Sequence, residues 1–415
     1  MSKSKLIRTV DNQIYFVIFL TLLWTQSILL EYFRGLLLNL PFTSAIAGMI
    51  VPLIMIIFFV LSLGTMVEQF KGVDITFISA CLVVYSAHYL LFPNSRYYYD
   101  RSAMDFVFAT LPFYFVGIAL NGEYQTRILN LFYKASVLTV YAFIFYRLFV
   151  SGMDSQTLRH GDMSSAYNLL PHVCLICAFL MRKPCASRAI PFALGFLMVL
   201  LCGSRGPVLC ILVFTAVMFF LNVSLKNPKL WIALILLAAV AIIFGNLIEI
   251  LIEFARDLAS DLGLSTRVLD KYQTGNFAVS DGRVDIREKV MAALSEEPIL
   301  GLGIYGDRHV AGGQYAHNVF VEILAHYGYL IGAIFLICLA VLLLRALRFV
   351  HKKKESDSLL ILLLLLGCNL KLFVSGTYIA EPFFFFLIGY AASLVRRKRY
   401  LEAKQLRSKR IAPHR

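Results

Sequence analysis

Charge is scarce in this chain. Of its 415 residues only 15% are Asp, Glu, Lys or Arg, against 59% that are hydrophobic, a balance that would leave a soluble domain with apolar surface it could not cover. Lipid must be its solvent. Long polar stretches are rare as well, because most of the chain consists of apolar runs long enough to cross ~30 Å of hydrocarbon as helices. Internal repeats, low-complexity segments and a symmetric pair of broken apolar runs are missing, which counts against a transporter built on inverted repeats. The basic start MSKSKLIR and the apolar run from about Ile14 to Leu30 have no A-x-A-like site after them, so this run reads as a retained span and not as a signal peptide. None of the eight cysteines lies in the long polar segment, and no disulfide framework is implied. Cys174 and Cys177 form a CxxC inside an apolar helix and read as small buried hydrophobes.

Apolar runs lie near residues 14–30, 43–63, 75–92, 103–120, 128–150, 166–181, 189–203, 206–222, 230–252, 318–344, 359–376 and 378–395. The fold class expected is an all-α polytopic membrane protein of about twelve transmembrane helices. It forms a single transmembrane domain over residues 1–415, with residues 253–316 as one long external loop that contains short helices. Placing both termini in the cytoplasm puts most of the 39 Lys and Arg, including those of 345–354 and of the tail from Arg396, on the inner side. The net charge of +14 therefore follows from topology, and no nucleic-acid partner is expected. The long loop, and shorter ones at Phe92–Ser102 and Ser151–Ser165, face outward.

Charged groups at the outer edge need a reason, because the positive-inside bias disfavours arginine there and desolvation is costly. In Gly203-Ser204-Arg205-Gly206-Pro207 a tight turn joins two apolar runs, so Arg205 either snorkels to lipid phosphate or faces an anionic partner near the headgroups. In the long loop, Arg283, Arg287, Val290 and Leu294 recur at helical spacing after Asp281-Gly282 and before Pro298. One face of that helix carries two guanidinium forks, which suit the paired oxygens of a diphosphate; the alternative is a solvated helix with ordinary ion pairs.

Where the loop re-enters the membrane, the sequence reads Ala316-His317-Asn318-Val319-Phe320-Val321-Glu322. Asn318 is placed to cap a helix, and Asn318, Glu322 and His326 form a polar stripe at i, i+4 and i+8 that should face the bundle interior. His317 stands at the electropositive end of that helix, where imidazolium is disfavoured and a neutral general base is available, unless the histidine is simply structural. Gly301-Leu302-Gly303-Ile304-Tyr305-Gly306 matches the dinucleotide fingerprint, but no βαβ unit surrounds it. It reads as a backbone approach that returns the loop to the membrane. His309, His317 and His326 lack metal-ligand spacing, and no metal is expected. Arg159-His160 and the tyrosines of Arg96-Tyr97-Tyr98-Tyr99-Asp100-Arg101 are either a sugar-binding surface or an interfacial belt.

The hairpin Ser204-Arg205-Gly206, then Gly282-Arg283 with Pro298 to Gly303, then His317-Asn318 with Glu322 and Gly328, resemble in this order the O-antigen polymerase and O-antigen ligase superfamily. Ser375-Gly376-Thr377-Tyr378 is similar to a segment near the C-terminus of many polymerases. Ile286 departs from the aromatic residue many relatives carry after Gly-Arg. The resemblance implies a GT-C-like fold and a bacterial plasma-membrane location with the active site on the periplasmic face. It implies an undecaprenyl-diphosphate-linked glycan repeat unit as substrate, membrane lipid as surroundings, a chain-length regulator as a partner, and no cofactor. By the same resemblance Arg205 and Arg283 hold the diphosphate and His317 activates the acceptor hydroxyl. Arg287, Asn318, Glu322, Arg159, His160 and Tyr378 are expected around the substrate. Polymerase is the reading favoured, with ligation of glycan onto lipid A-core as the alternative and a lipid-linked-oligosaccharide transporter as the more distant one.

Overall fold

The computed structural model describes residues 13–26, 43–120, 125–149, 155–202, 204–222, 253, 256–257, 260, 270, 282–350 and 355–411. Among these the chain is all-α, with no strand. In chain order the helices are α1 (Gln13–Gln26), α2 (Thr43–Val67), α3 (Gly72–Leu91), α4 (Arg96–Met104), α5 (Phe113–Ala119), α6 (Gln125–Phe149), α7 (Ser155–Arg182), α8 (Ala186–Leu201) and α9 (Arg205–Asn222). After these come α10 (Arg283–Glu296), α11 (Gly306–Val310), α12 (Val319–Val350), α13 (Glu355–Leu362) and α14 (Pro382–Ile411). Among the described residues six helical stretches are long and apolar enough to cross a membrane, and shorter apolar helices include α1, α8 and Arg205–Leu221 of α9. Broad apolar faces of α2, α3 and α12 are exposed, as lipid contact requires. The apolar run at 230–252 and most of 253–281 lie outside the described residues.

Several expected runs are interrupted. The run at 318–344 bends at Gly328, whose φ of 76° and ψ of 171° break the helical geometry of α12. The run at 359–376 is helical only to its middle, where a π turn (Leu363–Cys368) and a 3₁₀ turn (Leu370–Phe373) follow α13. Asn369 explains how this is tolerated in lipid, since its side-chain amide donates to the carbonyls of Leu364 at 2.7 Å and Phe383 at 3.0 Å. Two stretches expected as loops are instead helical: Arg96 opens α4, and α7 begins at Ser155. Arg96 also closes α3, donating from its guanidinium to the carbonyls of Tyr89 and Leu90.

Two compact units separate by their internal contacts: Met1–Gln13 with Ser62–Arg127 and Ser280–Arg415, and Ile14–Leu61 with Ile128–Val279. In the second unit α7 is the buried centre, with Val173 to Ala178 closed from solvent and α8 and α9 packed on it. The Trp24 indole N–H donates to Ser136 Oγ at 2.9 Å, and Ser136 meets His172 Nδ1 at 3.0 Å, so the buried polar groups find each other.

In the first unit α14 lies against α5 through small residues. A methyl group at Gly389 would come within 2.1 Å of the Tyr114 carbonyl oxygen, and one at Gly117 within 2.4 Å of that of Phe386. Backbones this close need glycine on both sides. At the end of the same pair, Arg396 grips the buried Asp74 with both guanidinium nitrogens, Tyr114 donates to Asp74 at 2.7 Å, and Arg397 pairs with the buried Asp357. Gly389→Val should lower stability by about 3 kcal/mol, the upper end of over-packing costs, seen as an earlier thermal transition in detergent. An unchanged transition would mean that the two helices do not approach as closely as described.

Candidate functional site

α10 starts where the spacing of its residues said it should. Gly282, at φ 77°, is its N-cap, and the helix buries Val290 and Leu294 against α12. Val290 joins Ala316 and Ala325 in a small apolar core that Ile286 and Leu302 extend. That core fixes the roll of α10, so Arg283 and Arg287 share its half-buried edge. Arg283 Nη1 donates to the Val374 carbonyl at 2.8 Å, which uses one of its five N–H groups, and Arg287 Nε donates back to the Arg283 carbonyl at 3.3 Å.

The returning chain is locked to α12 through backbone. Gly301 and Gly303 have φ of 73° and 79°, and a methyl group at Gly301 would sit 2.4 Å from the Gly328 nitrogen. The Leu302 N–H donates to the Ala325 carbonyl at 2.6 Å and the Tyr329 N–H to that of Pro298 at 2.9 Å. These bonds satisfy groups that the bend at Gly328 frees. The Gly-x-Gly-x-x-Gly stretch is thus a packing device: Gly301 meets the backbone of α12, and Gly303 lies against the Phe92 ring.

His317 sits at the mouth of this arrangement. Asn318 Oδ1 accepts from the N–H groups of Phe320 at 3.0 Å and Val321 at 3.2 Å, the expected cap, while its amide reaches the Phe373 carbonyl at 3.3 Å. His317 precedes the cap with φ 54°, a left-handed conformation that costs a residue with a side chain roughly 1–2 kcal/mol. Its ring lies 4.2 Å from that of Tyr315, whose hydroxyl is 3.2 Å from Ser375 Oγ. The imidazole is half-buried, and its Nδ1 has no hydrogen-bond partner among the described residues. Burial first, and then the positive field of Arg283, push its pKa down from 6.5 to about 4. Asp307 works the other way and Arg287 adds to the lowering. A neutral imidazole was expected from the helix end; burial and the two arginines are what lower the pKa here.

The polar stripe of α12 faces inward as expected. Glu322 and His326 are buried. Glu322 accepts a short hydrogen bond from the Thr377 hydroxyl and one from the Tyr378 N–H at 3.3 Å. His326 meets Asp307 Oδ1 through Nε2 at 3.1 Å and the Tyr378 hydroxyl through Nδ1 at 3.0 Å. Glu322 and Tyr378, expected around the substrate, are thus buried among protein partners. Asp307, Glu322 and His326 bring ligand atoms within 4.8 Å of one another, a gap a cation could bridge; here hydrogen bonds to protein groups occupy these atoms. Burial pushes the Asp307 carboxyl up, but hydrogen bonds from His326 and the Ala316 N–H outweigh it and hold the pKa below its ordinary value.

Arg283, Arg287, His317, Asn318, Glu322 and Tyr378 all belong to the first unit. Arg205 is the half-buried first residue of α9 in the second. Arg159 and His160 fall in the early turns of α7, and their side chains lie outside the described residues. On the surface, Arg101 lies over the Tyr97 ring at 4.2 Å, and Tyr98 donates to the Arg308 carbonyl at 3.3 Å. Asp307, by contrast, carries no motif or spacing that would have singled it out.

The apolar helices and a family match together point to a multi-pass membrane protein of the polysaccharide-biosynthesis type. Residues 190–337 match the Wzy_C family model, described as O-antigen ligase. The stretch contains Arg205, Arg283 and His317. The matched stretch is similar to the O-antigen polymerase and ligase superfamily, whose members are glycosyltransferase-like enzymes. None of the curated proteins compared with it matches.

Proposed function

We propose that the protein polymerises undecaprenyl-diphosphate-linked repeat units at the outer face of the bacterial plasma membrane. The observation that carries this reading is His317: a half-buried imidazole kept neutral beside Arg283 and Arg287 on a helix docked by its own apolar core. Glycosyl transfer from a polyprenyl diphosphate expels an anionic leaving group while the acceptor hydroxyl loses a proton. The enzyme must therefore hold phosphate oxygens and supply a base in one place. Arg283 presents its fork to the diphosphate, with Arg287 one turn along the same edge. The superfamily resemblance assigns phosphate binding to Arg205 as well. His317 takes the proton from the acceptor hydroxyl.

The description of the matched family favours a second reading, transfer of a finished glycan to lipid A-core. Purified protein given only the lipid-linked repeat unit, with chelator and without nucleotide, should yield a ladder of longer lipid-linked glycans, because the diphosphate bond already carries the activation. Product that forms only when lipid A-core is added means ligase. Substrate crossing a vesicle membrane with no covalent product means a transporter.

Topology has its own test. With both termini in the cytoplasm and the 253–316 loop outside, single cysteines at Gln273 and Lys404 should label oppositely in intact cells with an impermeant reagent. Equal labelling of the two would overturn this orientation.

A further inference from the structure

The proposed chemistry leaves Asp307 unused, although it is fully buried and linked to both sides of the site. Its Oδ2 accepts the N–H of Ala316 at 2.9 Å, immediately before His317. Its Oδ1 accepts from His326 Nε2 at 3.1 Å, and His326 Nδ1 meets the Tyr378 hydroxyl at 3.0 Å. Asp307 and His326 are both closed from solvent. Asp307 has little freedom to shift, because the residues before it are fixed by the Gly306 N–H to Gly303 carbonyl bond at 2.9 Å and by Tyr305 at φ 61°. His317 is itself held in a left-handed conformation, which persists only where the surroundings over-determine it. On its C-terminal side Asn318 is fixed as the cap; on its N-terminal side the anchor is Asp307.

We infer that Asp307 and His326 are a positioning pair for the base: His326 orients the Asp307 carboxylate, which pins the backbone entering His317 and so aims its imidazole at the acceptor. The inference rests on the reading of His317 as the base. Neither residue needs to touch the substrate. Misplacing a catalytic group by about 1 Å costs on the order of a hundred-fold in rate while leaving substrate affinity to other residues. The pair should therefore act on turnover and not on donor binding.

The test uses the full-length protein in whichever assay gives product, ladder or transfer to lipid A-core, with the undecaprenyl-diphosphate-linked repeat unit varied. Asp307→Asn and His326→Phe should lower kcat roughly ten- to a hundred-fold with the KM for the lipid-linked donor within about twofold of the wild type. His326→Gln keeps an N–H donor for Asp307 and should recover most of the lost kcat. If Asp307→Asn does not fold, the comparison of glutamine with phenylalanine at 326 decides alone. The inference is overturned if His326→Phe keeps its kcat, if glutamine is no better than phenylalanine, or if KM rises in step with the loss. His317→Ala run beside them keeps the two readings apart: full activity there removes the base itself, whereas an inactive His317→Ala with an active His326→Phe removes only the pair.

Discussion

Alanine at position 317 should lower transfer by roughly two to four orders of magnitude, the usual worth of a positioned general base, while the protein still inserts and purifies. Its pH profile carries a second signature. A base works in its unprotonated form, and His317 is held at about 4 where an ordinary histidine titrates at 6.5. The wild-type rate should therefore stay level from about pH 8 down to about pH 5 and fall only as the pH nears about 4. Arg287→Gln removes part of the positive field that lowers this pKa, so the acid limb should move upward, towards 6.5, with burial limiting how far. A wild-type limb centred near 6.5 would show that the ring is not in the buried, cation-flanked setting described.

Arg283→Ala should be nearly as damaging, with a loss of roughly a hundred- to a thousand-fold, the range found when a well-aimed donor to a developing anion is removed. Two contributions disappear together: the fork offered to the diphosphate and the hydrogen bond to the Val374 carbonyl that ties α10 to the 374–377 turn. Lysine should restore only part, because an ammonium keeps the charge and loses the paired geometry. α10 is seated by its buried Val290 and Leu294, so expression and elution in detergent should not change. Normal polymer length and amount from Arg283→Ala would end the diphosphate role. Arg205→Ala, measured beside it, tests the corresponding assignment in the second unit.

Local features of the site were legible because they are periodic. Arg283, Arg287, Val290 and Leu294 announced a helix and its buried edge, and Asn318, Glu322 and His326 announced an inward stripe; the structure shows both. Features that depend on two distant backbones meeting were not. Asp307 takes part only because the chain folds back to bring Ala316 and His326 to it, and no spacing records that. Hydropathy sees an apolar run at 359–376 and another at 318–344, but not the π turn or the bend that cuts them. The glycines of 301–306 were read as a backbone approach; Gly301 alone makes one, and its partner Gly328 could not be named without the fold.

The backbone lock between Gly301 and Gly328 has a consequence for how such a protein can diversify. From Arg283 to His326 the chain is closed by its own apolar core, cap and internal hydrogen bonds, and is tied outward to residues 373–378 by Arg283, Asn318, Glu322 and His326. Gly282, left-handed and with open space where a side chain would stand, marks the upstream edge of that closed stretch. A side chain gained at Gly282 would meet open space, so its cost lies in the left-handed backbone and not in packing. Within the closed stretch drift is coupled, because a side chain gained at either Gly301 or Gly328 collides with the opposite backbone.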